Sequence, residues 1–135
     1  MEIYKISNQC DIKEILFKFK NDLFDKNIAN EQLEKLSIKF AKFAIFIVLS
    51  EGVHQPLGYI AIYCNDMKNH TAFISMITVK NIYRHMGLGT VLIKEAIKSA
   101  KVSGMKEIAF QFYRKHGFTK VDQTDDYYCM KKKNI

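Results

Sequence analysis

The pattern that most constrains this chain lies between residues 71 and 104. An apolar strand, Thr71 to Val79, runs into a loop carrying two glycines one residue apart, Gly87 and Gly89. A helical stripe follows, made by Val91, Leu92, Ile93, Ala96, Ile97 and Ala100, and it stops at Gly104, which is well placed as a C-terminal cap. Without side chains at 87 and 89, backbone N–H groups can approach a ligand closely. The first N–H groups of a helix have no internal partner, and with the positive end of the helix dipole they suit a pyrophosphate. Arg84 adds a charge at the rim. A glycine pair before a helix also has a bland reading, because a helix start often needs a small residue for steric reasons alone. Two familiar phosphate loops are excluded by residue: a dinucleotide fingerprint needs a glycine where Leu92 stands, and no Gly-Lys-Ser/Thr is present.

The rest of the chain supplies a scaffold for that junction. Ile3-Tyr4-Lys5-Ile6 reads as a strand, and the Asp11 to Glu14 spacing reads as a capping box opening a helix with Ile12, Ile15, Leu16, Phe19 and Leu23 on one face. A second helix is expected from about Asn30 to Lys42, with Leu33, Leu36 and Phe40 inward. The strongest strand signal is Ala44 to Leu49, closed by a turn through Gly52 and Pro56. Leu57 to Cys64 is a further strand, and the turn formers Asn65 to Asn69 join it to Thr71 to Val79 in an antiparallel meander. After Gly104 come a short stretch, Met105 to Ile108, a helix ending at His116-Gly117, and a final strand region from Phe118 through Tyr127 to Lys131.

Composition sets the outer limits. A chain of 135 residues that is 48% hydrophobic, with one Pro and six Gly, is long enough for one core and reads as a single domain over 1–135. The longest apolar run, Phe43 to Leu49, is of strand length, so no membrane span is expected; Glu2, Lys5, Asp11 and Lys13 break any signal-like stretch, and the expected compartment is cytoplasmic. Cys10, Cys64 and Cys129 are odd in number and widely spaced, which fits neither a disulfide framework nor a metal site. The net charge of +7 asks for an anionic partner, but the lysines are scattered and the bland reading of the one run, Lys131 to Lys133, is a solvated tail. Nucleic-acid binding is therefore not favoured.

Arg84-His85-Met86-Gly87-Leu88-Gly89 resembles the Arg/Gln-x-x-Gly-x-Gly/Ala signature of the GNAT N-acetyltransferase family, and Phe112-Tyr113-Arg114-Lys115-His116-Gly117-Phe118 is similar to that family's late helix and following strand. The resemblance implies an α/β (α+β) fold, a mixed and mostly antiparallel sheet flanked by helices. It implies acetyl-CoA as acyl-donor cosubstrate, an amine as acceptor and no metal. The strand segment Ile77-Thr78-Val79 would meet the pantetheine arm through backbone groups of Ile77 and Val79. Arg84, His85, Met86, Gly87, Leu88, Gly89 and Thr90 would hold the pyrophosphate. Tyr113 falls where many members place the tyrosine that protonates the departing thiolate; a phenol of pKa about 10 can serve a thiol of about 8.5. The structural reading of Tyr113 is a packing aromatic.

The amine must lose a proton before it attacks. The strand Thr71 to Val79 carries no Asp or Glu, so one common position for the base is empty, and Glu107 and His116 are candidates only by sequence proximity. The chain also departs from the family's pattern. Asn81 stands where a proline is frequent, and about ten residues are missing between Ile108 and Ala109, which puts Lys106 at the position of an asparagine that contacts CoA. This predicts a shortened strand near residues 105–110, an uncovered sheet edge beside it and, through that edge, a homodimer. The rival readings are a CoA-binding relative without turnover and a basic nucleic-acid-binding module.

Overall fold

The computed structural model describes residues 1–23, 27–113, 122–123, 127–133 and 135. Its elements run β1 (Glu2–Ile6), α1 (Gln9–Lys18), α2 (Asn30–Phe43), β2 (Ala44–Ser50), β3 (Pro56–Tyr63), β4 (Thr71–Val79), α3 (Leu88–Val102), β5 (Glu107–Tyr113), β6 (Asp122–Gln123) and β7 (Tyr127–Lys133), with single 3₁₀ turns at Lys20–Asp22 and Asn81–Tyr83. The strands form one sheet in the order β1-β2-β3-β4-β5-β7-β6. Every pairing is antiparallel except β4 with β5. That parallel pair requires a crossover, and α3 supplies it.

Helices cover both faces of the sheet. On one side Ile47, Leu49, Ile60, Ile62, Ala72 and Ile74 pack with Leu92, Ala96 and Ala100 of α3. On the other, Phe46, Val48, Tyr59 and Ala61 pack with Ile12, Leu16, Leu33 and Phe40 of α1 and α2. Strand β2 is thus buried on both faces, which explains its unbroken apolar run. An aromatic group fixes the second layer: the Tyr59 ring stacks on Phe46 at 5.0 Å between centroids and meets the edge of Phe19 at 5.4 Å.

Two expectations are corrected. Helix α1 starts one turn earlier than the Asp11 to Glu14 spacing predicts, because Asn8 Oδ1 accepts from the N–H groups of Cys10 (2.8 Å) and Asp11 (3.3 Å) and acts as the cap. The strand after Gly104 is brief only where it meets β4, pairing from Glu107 to Phe110; it continues to Tyr113, so Phe112 and Tyr113 are strand rather than helix. The remainder of the expected helix, through His116-Gly117, lies outside the described residues, and the final strand region comprises β6 and β7. Strand β7 pairs with β5 along all seven positions and covers its outer edge, while among the described residues β4 past Ile74 has no strand partner on the β5 side, so the edge expected beside the shortened strand lies on β4.

Candidate active site

Strand β4 is built so that its second half stands apart from β5. From Ala61↔Met76 to Ile62↔Ile74 the register with β3 slips by one, leaving Ser75 as the extra residue of a β-bulge. A bulge bends its strand and adds local twist. The parallel pairing with β5 accordingly ends at Ile74↔Phe110, and residues 75–79 have no strand partner on that side among the described residues.

Backbone direction in this free half follows from one hydrogen bond. Lys80 N–H donates to Leu57 O at 2.9 Å, so Lys80 faces β3. Alternation along an antiparallel pair turns Thr78 the same way and turns Ile77 and Val79 toward the gap beside β5. Thr78 also buries its side chain, 5% exposed, next to Tyr59, whose hydroxyl is raised well above the ordinary tyrosine range by burial and donates to Met76 Sδ at 3.3 Å. Of the three strand residues singled out from sequence, Ile77 and Val79 thus have backbone groups turned to the gap, and Thr78 is part of the core.

Past Val79 the 3₁₀ turn Asn81–Tyr83 delivers the glycine loop. Gly87 has φ +82° and caps α3 with no side chain, and His85 takes φ +67°, a left-handed conformation uncommon outside glycine. The first intrahelical donor of α3 is Val91, to Gly87 O at 3.2 Å, so the N–H groups of Leu88, Gly89 and Thr90 lie in the uncapped first turn. A Cβ built on Gly87 or Gly89 would meet nothing within 4 Å, so the space over this turn is open. Uncapped donors, a helix dipole and open space suit a pyrophosphate.

Helix α3 approaches the sheet closely here. A Cβ on Gly58 would lie 2.7 Å from Thr78 O and 3.2 Å from Leu92 Cδ1, so glycine lets β4 run close to β3 here with Leu92 of α3 packed against the pair. Arg84 is engaged elsewhere: its Nε donates to Val79 O at 3.3 Å and its guanidinium also donates to Asp22 O. His85 and Met86 are exposed beside the loop.

The catalytic candidates are dispersed. Tyr113 is the last residue of β5, opposite Tyr127. Glu107 sits at the other end of β5, paired with Thr71, whose hydroxyl donates to its Oε1 at 2.7 Å. The full length of β4 separates it from Val79, about 26 Å at 3.3 Å per residue, so it is not brought to the gap. His116 lies outside the described residues. Among the described residues no group of three or more His, Cys, Asp or Glu could hold a metal ion, and no helix is long and apolar enough to cross a membrane.

The sequence profile of the acetyltransferase (GNAT) domain matches residues 42–120, more than half of the chain. The chain belongs to the GNAT acetyltransferase family. No curated relative matches. Solved structures share the GNAT fold at low identity. Aminoglycoside 6'-acetyltransferase type Ii superposes with a TM-score of 0.78 at 15% identity, over 100% of this chain and 98% of its own. The ribosomal-protein-S18-alanine N-acetyltransferase of Escherichia coli gives 0.74 at 11%, over 98% and 94%. The PaiA N-acetyltransferase of Thermoplasma acidophilum, in complex with coenzyme A, gives 0.69 at 17%, over 98% and 99%.

Sequence reasoning missed two parts of this site. The bulge at Ser75 had a signal, since the apolar series Ala72, Ile74, Ile77, Val79 breaks its period of two. The contacts of Asp22 with Asn81 and Arg84 had none.

Proposed function

We propose that this GNAT domain binds acetyl-CoA along the free half of β4 and transfers the acetyl group to a primary amine in the cytoplasm. The observation that carries the reading is the continuity of one path. Backbone groups of Ile77 and Val79 face the gap beside β5, and the same strand leads through Arg84 to Met86 and Gly87 into the uncapped turn Leu88-Gly89-Thr90. An extended pantetheine arm pairs with such an edge as a strand would, and a pyrophosphate sits at the helix start. The coenzyme A held by the Thermoplasma relative supports the same assignment.

The transfer is direct. The neutral amine attacks the thioester carbonyl, a C–N bond forms as the C–S bond breaks, and the sulfur leaves as a thiolate that takes a proton. Tyr113 is our candidate for that proton donor, and the proton the amine sheds leaves to bulk solvent, with no protein base assigned.

One observation favours a second reading, a CoA-binding member without turnover: Tyr113 ends a strand rather than entering a helix. Release of free thiol from acetyl-CoA in the presence of small amines, polyamines, amino sugars and peptide N-termini separates the two. An acetyltransferase releases thiol with at least one acceptor class, and Tyr113→Phe lowers that rate by about 10- to 1000-fold at similar acetyl-CoA affinity. Binding without thiol release from any of these acceptors supports the second reading.

A further inference from the structure

The loop that leads to α3 is held from across the molecule. Asp22 lies in the 3₁₀ turn after α1, between Phe19 and Leu23, both buried in the core of the α1–α2 face. Its Oδ1 accepts from Asn81 N–H at 2.8 Å, 59 positions away, and its carbonyl oxygen accepts from the Arg84 guanidinium. Arg84 in turn donates to Val79 O, so two residues of the loop region, Asn81 and Arg84, are fastened to one anchored turn. Lys80 adds to the same contact, its ammonium 5.9 Å from the centroid of the Phe19 ring.

We infer that Asp22 is a positioning residue for the phosphate loop, acting through the N–H of Asn81. The turn Asn81–Tyr83 sets where residues 84–90 begin, and its first N–H points away from the helix it precedes. Left to water, that N–H would hold the turn less firmly to the rest of the protein. Met by a carboxylate on a buried-flanked turn, it is fixed before any ligand arrives, and less ordering is left for binding to cost. This inference rests on the coenzyme A reading above.

A pair of substitutions isolates the bond. Asp22→Ala removes the acceptor, whereas Asp22→Asn keeps an oxygen that can accept. Asn81→Pro removes the donor, and the site suits proline: Lys80 before it is extended at φ −53° and ψ 136°, and Asn81 opens its turn. The Kd for coenzyme A, by calorimetry, should rise about tenfold in Asp22→Ala and stay near wild type in Asp22→Asn, a difference of the size of one hydrogen bond. In an Asn81→Pro background Asp22→Ala should have no further effect. Unchanged affinity in Asp22→Ala, or the same tenfold loss in the proline background, overturns the inference. Amide exchange reads the contact without ligand: Asn81 N–H should be protected in the wild type and fast in Asp22→Ala. A wild type that fails to bind coenzyme A refutes the cofactor reading, and equal exchange of Asn81 in both proteins refutes the Asp22 contact separately.

Discussion

Ile74 and Ile77 face the same layer of the protein although they lie three positions apart in one strand. Both pack on the α3 side, whereas regular alternation would put them on opposite faces. The bulge at Ser75 reconciles the two, and it falls where β4 stops pairing with β5.

Deletion of Ser75 should therefore leave the core pattern intact and close the gap. With Ile77 two residues from Ile74, a regular strand keeps both on the α3 side, and pairing with β5 can extend past Phe110. The variant should fold, with a Tm near or above wild type, and lose coenzyme A affinity by at least about tenfold. Calorimetric titration beside a thermal melt checks this, and wild-type affinity in a folded deletion variant would show that the bulge does not open the site.

Gly58→Ala tests the close approach of α3. The added methyl group would contact a backbone oxygen, Thr78 O, which cannot move without shifting β4, so the substitution should cost about 1–3 kcal/mol. Because β4 must shift at Thr78 and Val79, beside the residues that face the gap, coenzyme A affinity should fall with stability. A denaturant titration gives the first quantity and calorimetry the second.

Much of this arrangement is readable from the sequence because it rests on local signals. The glycine pair, the stop at Gly104 and the broken period of Ala72, Ile74, Ile77 and Val79 are short-range patterns, and each corresponds to a feature of the structure. The segment Glu107–Tyr113 misleads for an instructive reason: Ile108, Phe110 and Phe112 alternate with period two, a strand signal, but the likeness of residues 112–118 to a helical motif outweighs it in a sequence reading. Asn8 and Asp11 are both good caps, and the choice between them depends on where the chain leaves β1. The bond from Asp22 to Asn81 joins two turns far apart in sequence, and nothing local to either announces it.

The turn between β3 and β4 predicts a pH dependence. The backbone N–H of Asn69 donates to the Asp66 carboxylate at 3.0 Å, the Asn69 side-chain amide adds a second bond and Lys68 N–H a third, and together they hold the carboxyl below its ordinary value of 3.8. A folded pKa lower than the unfolded one stabilises the protein above the unfolded value, and that contribution disappears as pH falls through the folded one. Asp66→Ala should lower Tm at pH 7, with a difference from wild type that narrows below pH 3.8. Thermal melts of both proteins from pH 7 down to about 3 measure it, and a constant difference across that range would assign the effect to the backbone of the turn instead.

The central claim is that residues 77–90 form a coenzyme A site, and it is tested most directly by calorimetric titration of coenzyme A into the wild type and Gly89→Val. Gly89 lies in the first turn of α3, where an added Cβ meets no protein atom within 4 Å, so the variant should fold and fill the space over the helix start. The wild type should bind saturably, with a stabilisation of about 2.7 kcal/mol at 100 times Kd, and folded Gly89→Val should bind at least about tenfold more weakly. No heat of binding to the wild type at about millimolar coenzyme A, or equal affinity in the folded variant, would contradict the assignment.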